Sequence, residues 1–299
     1  MAWRLSDTLV IRVSLISGRY QSIVLNPDLT VSLISDKQAF VMSLNVKPAI
    51  VLVHGAWHVP QHYTDFIQQL QQAGFEVICP LLPTCDETKC LDADMFGDAH
   101  VVRNLVLSLI ERSREVIMLL HSYGGAVGTE AVKGLSASER ANEKLHGGVI
   151  HLIYLCGFML QVGESVGGAS LPRPVPEPIE LDEATGTTLP CQPPIQLFYA
   201  DVEPERAKKM EALLVRQSGS AMTDAITYPA WRYIPTTYLR TQDDQVLFPH
   251  WQERQIKAAR AIGTSLAVET FVSSHSPFLS MPREIVGAVE RAAEQQVTT

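Results

Sequence analysis

Short apolar runs that alternate with amphipathic segments are the feature of this sequence that most limits its fold. Six runs have the pattern and length of strands, and the first has the apolar, β-branched composition of a strand buried on both faces of a parallel sheet. They are residues 49–53, 75–79, 115–120, 149–156, 236–240 and 265–272. Helical spacing of apolar residues predicts helices over about residues 61–73, 94–114 and 282–294. This alternation predicts an α/β fold with a mostly parallel, doubly wound sheet.

About eighty residues interrupt this alternation, between the runs that end at residue 156 and begin at residue 236. The interval is Pro-rich at 171–178 and has a helical pattern at about 204–217. Because a long insertion in a compact sheet fold is usually functional, we predict a helical cap over about residues 161–232.

The first 41 residues show only loose apolar alternation and have no clear place in the predicted sheet. We therefore predict an N-terminal extension over residues 1–41 and one domain over residues 42–299, with Met42 as a candidate natural start. The alternative is that residues 1–41 form extra edge strands of the sheet.

Composition argues against several classes of partner. With a net charge of −8 and scattered basic residues, the chain lacks the electrostatic footprint of a protein that binds nucleic acid or anionic membranes. Its longest uncharged apolar stretch, residues 149–160, is shorter than the about 20 residues that span a bilayer. The five cysteines include no CxxC pair, which predicts reduced thiols, no metal site and a cytoplasmic protein.

Residues 116–126, VIMLLHSYGGA, run from an apolar strand through a tight turn into a helix of small residues. This is the setting of a nucleophile elbow, a strand-to-helix turn that exposes a serine hydroxyl. Ser122 is therefore the candidate nucleophile, and an ordinary helix N-cap serine is the alternative. Leu120 stands where the usual G-x-S-x-G pattern has glycine, so neighbouring packing must accommodate a larger side chain.

A serine hydroxyl becomes a good nucleophile only when a positioned base removes its proton. In a fold of this kind the base follows the last strand, and the acid that orients it follows the strand before. His275 is the one histidine of nine with that placement, a surface-loop imidazole being the alternative. Asp243 and Asp244 both follow the preceding strand, and their placement leaves the choice between them open.

The loop after the first apolar run, His54-Gly55-Ala56-Trp57, is a candidate for binding a developing oxyanion. In such folds one backbone N–H comes from this loop and another from the residue after the nucleophile. We assign these roles to the amides of Ala56 and Tyr123. A plain turn that needs glycine at position 55 is the alternative.

Taken together, these motifs resemble those of the small α/β-hydrolases grouped with plant methyl-ester esterases, hydroxynitrile lyases and microbial carboxylesterases. The resemblance rests on VLVHGAW (51–57), HSYGG (121–125), LFYADV (197–202), residues 241–252 and SHSPF (274–278). It runs from about Pro48 to the C-terminus, includes the cap, and implies an α/β-hydrolase fold.

The resemblance also bears on the acid and on the reaction. Similar proteins place the acid in a T-x-x-D-x-x-x-x-P-x-x-Q pattern, which Asp244 fits and Asp243 does not. The lyases have a lysine after the base and a threonine after the first-loop histidine, where this chain has Ser276 and Gly55. Both differences favour hydrolysis over cyanohydrin chemistry.

The predicted activity is hydrolysis of a small or medium hydrophobic carboxylic ester through an acyl-enzyme, without a metal or organic cofactor. Five aromatic residues are candidates for the substrate pocket, with plain core packing as the alternative. They are Trp57, Phe158, Phe198, Tyr228 and Trp231. The rival functions are a biosynthetic thioesterase or cyclase acting on a polyketide-like intermediate, and a hydrolase-fold protein that binds a small ligand without turnover.

Overall fold

The computed structural model describes residues 47–170, 179–190 and 193–294, together with the backbone of five strands within residues 2–43. Backbone contacts divide the chain into two units, Met1–Lys47 and Pro48–Thr299. The Pro-rich stretch 171–178 and Cys191 lie outside the described residues. In the described part of the chain, no helix has the length and apolar character needed to cross a membrane.

The first unit contains a five-stranded antiparallel sheet in which each strand pairs with the next along the chain. Its strands are β1 (Ala2–Leu5), β2 (Thr8–Ser14), β3 (Tyr20–Leu25), β4 (Thr30–Leu33) and β5 (Phe40–Ser43). These strands form a sheet of their own.

The second unit is built on a six-stranded sheet in which every neighbouring pair is parallel, in the order β14-β13-β9-β8-β6-β7. The described strands of this unit are β6 (Ala49–Val53), β7 (Glu76–Ile78), β8 (Glu115–His121), β9 (Gly148–Leu155), β10 (Ile179–Asp182), β11 (Thr187–Pro190), β12 (Gln217–Ser218), β13 (Thr236–Thr241) and β14 (Leu266–Phe271). All residues of the interior strands β6 and β9 are buried, which explains why their sequences are almost entirely apolar.

Helices cover the sheet and fill the long connections. They are α1 (Thr64–Gln72), α2 (Met95–Ile110), α3 (Gly124–Ala131), α4 (Ala137–Asn142), α5 (Val166–Ala169), α6 (Pro194–Phe198), α7 (Pro204–Glu211), α8 (Ser220–Thr223), α9 (Pro249–Ala261), α10 (Pro277–Ser280) and α11 (Pro282–Glu294). α2 and α3 pack on each other and on β6 and β8, whereas α1 packs on α11. This confirms the α/β fold with a parallel sheet.

The insertion between β9 and β13, which we call the cap, mixes short helices with strands. β10, β11 and β12 form a small antiparallel sheet that the sequence did not predict. The helix predicted over 204–217 ends at Glu211, and Gln217, the last residue of the predicted span, pairs with β11 together with Ser218. The start of α7 is fixed by Glu203, whose carboxylate accepts from the amides of the first turn of the helix.

Candidate active site

The loops that carry the predicted residues meet at the carboxyl edge of the parallel sheet. The connections that leave the neighbouring strands β6 and β8 run in opposite directions across the sheet, from β6 to β7 on one side and from β8 to β9 on the other. This divergence opens a crevice at the carboxyl ends of β6 and β8. The loop after β6 carries Ala56, and the turn after β8 carries Ser122. Asp244 and His275 follow the neighbouring strands β13 and β14, so sheet order alone brings the loops together.

Ser122 lies in a strained turn between β8 and α3. Its φ of 53° is in the left-handed region that few non-glycine residues adopt. Two glycines allow the close approach of α3: a Cβ on Gly124 would lie 2.3 Å from the Val53 carbonyl oxygen, and one on Gly125 would lie 2.5 Å from the Phe158 amide. The turn therefore has the conformation and the close packing expected of a nucleophile elbow.

Leu120, which replaces the first glycine of the usual motif, is accommodated by a glycine in α3. The Leu120 side chain is fully buried, and its Cδ2 atom would lie 2.2 Å from a Cβ placed on Gly128. The missing side chain at Gly128 thus provides the space that Leu120 fills. The departure from the motif is compensated eight residues along the chain.

Ser122, His275 and Asp244 form a continuous hydrogen-bonded series. The Oγ atom of Ser122 lies 2.9 Å from His275 Nε2, and His275 Nδ1 lies 2.8 Å from Asp244 Oδ2. All three side chains are buried, with Ser122 retaining 4% exposure at the cavity described below. This is the geometry in which an imidazole can take a proton from a serine hydroxyl.

The carboxylate of Asp244 is held by donors from its own loop and from α9. Its Oδ1 accepts from the amides of Val246 and Leu247 at 2.8 and 2.9 Å. Its Oδ2 accepts from Thr241 Oγ1 at 2.9 Å and from Gln252 Nε2 at 3.3 Å. These contacts explain the threonine and glutamine of the motif that favoured Asp244. Asp243 is exposed and has no such contacts with His275.

Ala56 lies in the loop after β6, and Tyr123 directly follows Ser122 in the turn between β8 and α3. Both residues line the same cavity as Ser122. Within the described residues, neither amide donates to another backbone group. The structure therefore brings together the two residues predicted to stabilise an oxyanion.

A cavity of about 460 Å³ opens at Ser122 beneath the cap. Three of the five predicted aromatic residues line it: Trp57, Phe158 and Phe198. The sequence did not identify the other large apolar lining residues, which are Val166, Ile179, Leu181, Pro190, Leu197, Met222, Val246, Phe248 and Trp251. Val246 and Phe248 could have been inferred, since they lie two and four residues after Asp244 in the same loop. No described lining residue carries a formal charge.

Tyr228 and Trp231 do not line this cavity, which corrects their assignment as substrate-binding residues. Trp231 is fully buried, and its Nε1 donates to the Leu160 carbonyl at 2.8 Å. Tyr228 stacks on Tyr233 with ring centroids 5.2 Å apart. Trp231 therefore packs in the core, and Tyr228 packs against Tyr233.

Asp98 in α2 is a buried carboxylate close to the elbow that sequence reasoning missed. It accepts from Tyr123 Oη at 2.7 Å, from the Thr84 amide at 2.9 Å and from Thr84 Oγ1 at 2.6 Å. Burial raises the pKa of this carboxyl to about 6, although these hydrogen bonds oppose the rise. Its spacing of four residues from the buried Val102 was the available signal, since it places an acid on the apolar face of α2.

The donor atoms of His121, Cys156 and His275 lie within 4.8 Å of one another. Both ring nitrogens of each histidine are already hydrogen-bonded. Burial also raises the pKa of the Cys156 thiol well above its usual value, whereas a metal ligand must be a thiolate. The chemistry of this cluster therefore does not suit a metal ion.

The fold and the site geometry agree with the relatives of this sequence. The family model described as "Alpha/beta hydrolase family" matches residues 50–288. The chain belongs to the α/β hydrolase family.

Within the family, the chain is 29% identical over 254 residues to the α/β hydrolase nvfD of Aspergillus novofumigatus, covering 84% of this chain and 99% of that protein. Its fold is similar to the crystal structure of a pyrethroid hydrolase from Sphingobium faniae JZ-2, with a TM-score of 0.66, 22% identity, and coverage of 84% and 99% of the two chains. It is also similar to the structure of polyneuridine aldehyde esterase, with a TM-score of 0.66, 16% identity, and coverage of 82% and 98%. These likenesses confirm the predicted family and fold.

Proposed function

We propose that this α/β hydrolase cleaves a small or medium hydrophobic carboxylic ester through an acyl-enzyme on Ser122. The observation that carries the proposal is the buried series Ser122–His275–Asp244, with contacts of 2.9 and 2.8 Å, at the mouth of an apolar cavity. A base within hydrogen-bonding distance of a strained, cavity-facing serine is the arrangement that activates a hydroxyl nucleophile.

In the acylation half-reaction, Ser122 Oγ attacks the ester carbonyl carbon as His275 Nε2 takes the hydroxyl proton. Asp244 holds the imidazole with its proton on Nδ1 and stabilises the imidazolium that forms. The Ala56 and Tyr123 amides donate to the oxyanion. The tetrahedral intermediate then breaks its bond to the alkoxy oxygen, which leaves as the alcohol with the proton from Nε2.

Deacylation repeats these steps with water as the nucleophile. His275 Nε2 takes a proton from water as its oxygen attacks the acyl carbon, and the same two amides stabilise the second oxyanion. Collapse breaks the bond between the acyl carbon and Ser122 Oγ, to which Nε2 returns the proton. The products are one carboxylic acid and one alcohol, and no step needs a cofactor.

The lining of the cavity supports the substrate class. Its volume of about 460 Å³ lies in the usual range for small-ligand sites, about 300–1,000 Å³. Uncharged, largely apolar walls favour a neutral hydrophobic ester because burying an unpaired charge there would be costly. The names of the pyrethroid hydrolase and of polyneuridine aldehyde esterase are consistent with this class.

The test is hydrolysis of short-chain p-nitrophenyl esters by the wild-type protein and by Ser122→Ala. We expect turnover in the wild type and a loss of about 10³-fold or more in the variant, since the nucleophile is removed.

Asp243→Asn serves as a matched control for Asp244→Asn, because only Asp244 contacts His275. Equal rates for wild type and Ser122→Ala would contradict the proposal. Tight ligand binding without turnover would favour the binding-protein alternative.

A further inference from the structure

A buried series of hydrogen bonds joins the oxyanion loop to the backbone of the candidate base. The Gly55 amide donates to Tyr63 Oη at 3.0 Å, and Tyr63 Oη lies 2.7 Å from His121 Nδ1. His121 Nε2 lies 2.9 Å from the carbonyl oxygen of His275. We call these contacts the Tyr63–His121 relay. None of its side chains takes part in the mechanism above.

The direction of every hydrogen bond in the relay is fixed by its two ends. The His275 carbonyl can only accept, so His121 carries its proton on Nε2 and presents Nδ1 as an acceptor. Tyr63 therefore donates its hydroxyl proton to Nδ1, which leaves its oxygen lone pairs to accept from Gly55. A neutral His121 is required, and burial together with the nearby His275 lowers its pKa well below the usual value.

The relay is tightly packed, so its parts have little freedom to separate. Tyr63 is fully buried and stacks on Phe278 with ring centroids 4.4 Å apart. A Cβ on Gly55 would lie 2.8 Å from His121 Nδ1 and 3.1 Å from Ser122 Cβ. The loop after β6 therefore rests directly on the imidazole, which explains why residue 55 is glycine.

The two ends of the relay are the groups whose placement matters most for catalysis. Gly55 directly precedes Ala56, and its carbonyl, which shares a planar peptide with the Ala56 amide, accepts from the His58 amide at 3.3 Å and lies 2.9 Å from His54 Nδ1. With the Gly55 amide also held by Tyr63, both sides of residue 55 are fixed, and with them the direction of the Ala56 amide. At the other end, His275 is held through its own carbonyl. That oxygen also accepts from Cys156 Sγ at 3.3 Å, but a thiol is the weaker donor.

We propose that Tyr63 and His121 are positioning residues that hold the oxyanion loop and the base in a fixed mutual arrangement. Acyl transfer requires the base and the oxyanion donors to act on one carbonyl group at the same time, and misplacement by about 1 Å can cost about 10²-fold in rate. This inference rests on the proposed function. It predicts a defect in turnover and not in substrate binding.

The primary test compares Tyr63→Phe with Tyr154→Phe. Both tyrosines are fully buried, but the Tyr154 hydroxyl contacts Thr129 in α3 and not the active-site loops. We expect Tyr63→Phe to lower kcat about tenfold or more with little change in KM, less than the 10²–10³-fold cost of deleting an oxyanion donor. Each variant loses one buried hydroxyl contact, so the two should lower the Tm by similar amounts, but Tyr154→Phe should leave kcat within about twofold of wild type.

Two variants of His121 add a readout that a merely structural role would not produce. Gln at position 121 can place an amide donor near the Nε2 position, whereas Asn can replace only the nearer Nδ1 acceptor. We expect His121→Gln to retain more kcat than His121→Asn. The double variant Tyr63→Phe/His121→Asn should be no slower than the worse single variant, since both changes break one series.

A fluorophosphonate that labels serine hydrolases separates failure of this inference from failure of the proposed function. Its reaction forms the bond from Ser122 Oγ to phosphorus, expels fluoride, and needs both the base and the oxyanion donors. If the wild type is not labelled, the proposed function fails. If it is labelled and Tyr63→Phe is labelled and turns over at the wild-type rate, the relay has no positioning role and the inference is wrong.

Discussion

The carboxylate of Asp201 in the cap accepts from both the backbone amide and the hydroxyl of Ser274, the residue before His275. The amide contact is 3.1 Å and the hydroxyl contact is shorter. Ser274 Oγ also lies 3.2 Å from the carbonyl of Phe198, which lines the cavity. The cap is therefore attached to the loop that carries the candidate base.

Asp201→Asn tests the importance of this attachment. A hydrogen bond to a charged group contributes about 1.5–3 kcal/mol. The variant weakens the two contacts from Ser274 to the Asp201 carboxylate and should loosen the His275 loop, so we expect kcat/KM to fall about tenfold. The measurement is ester turnover together with the rate of proteolysis within the cap. Glu203→Gln is the control, since Glu203 caps α7 in the same segment without touching Ser274. A variant with wild-type turnover would show that the attachment does not position the base.

Gly128→Ala tests the pairing that accommodates Leu120. The added methyl group would meet Leu120 Cδ2 at 2.2 Å, and overpacking of this kind costs about 1–3 kcal/mol in the free energy of unfolding. Denaturation in urea measures it. Gly97→Ala is the control, because its nearest contact would be an ordinary 3.4 Å. Leu120→Ala combined with Gly128→Ala should recover part of the lost stability, and an additive double variant would contradict direct packing.

The sequence predicted the parallel sheet and the placement of Ser122 and His275 because both depend on local pattern and chain order. The choice of Asp244 over Asp243 came from the resemblance to a known family. Buried strands are continuously apolar, and parallel strands deliver their carboxyl ends to one edge. Once the strands were ordered, the loops that follow them had to converge. The structure then shows the distances between their side chains.

What the sequence did not predict depends on contacts between distant residues. Nothing near Tyr63 indicates that its hydroxyl meets His121, 58 residues along the chain. The assignment of Trp231 to the cavity was wrong because the sequence indicates that an aromatic ring is buried but not which way it points. The Trp231 ring points towards the Leu160 carbonyl. The small sheet of the cap was missed because Gln217 and Ser218 become a strand only by pairing with β11.

Deletion of residues 1–41 tests the predicted domain limits. The division between the two units falls at Lys47–Pro48, and β6 begins at Ala49. We expect a chain that starts at Met42 to fold and to keep ester turnover within about twofold of wild type, since the parallel sheet is formed by later residues. A deletion through residue 53, which removes the interior strand β6, is the control and should not fold. An insoluble chain from Met42 would show that residues 1–41 are needed for folding.

Stability should fall steeply below pH 6.5 because several histidines are buried in their neutral form. Burial lowers the pKa of His54, His62 and His151 to about 4 from 6.5. Between these values the unfolded chain binds protons that the folded chain rejects, so the free energy of unfolding decreases as the pH falls. Each shift corresponds to about 3 kcal/mol lost by pH 4. Asp98 acts in the opposite direction, since its raised pKa makes the folded chain take up a proton near pH 6.

His151→Gln isolates one of these contributions without touching the active site. His151 lies in β9 with its Nε2 atom 2.9 Å from Thr237 Oγ1, and a glutamine amide can replace that contact without titrating. Urea denaturation of both proteins at pH 7.5 and pH 4.5 measures the effect. We expect the drop in stability between these pH values to be smaller in the variant by about 2–3 kcal/mol. Equal drops would mean that His151 is protonated in the folded state or that nearby groups compensate fully. Asp98→Asn should do the reverse and steepen the loss, because it removes a buried carboxyl whose raised pKa favours the folded chain in acid.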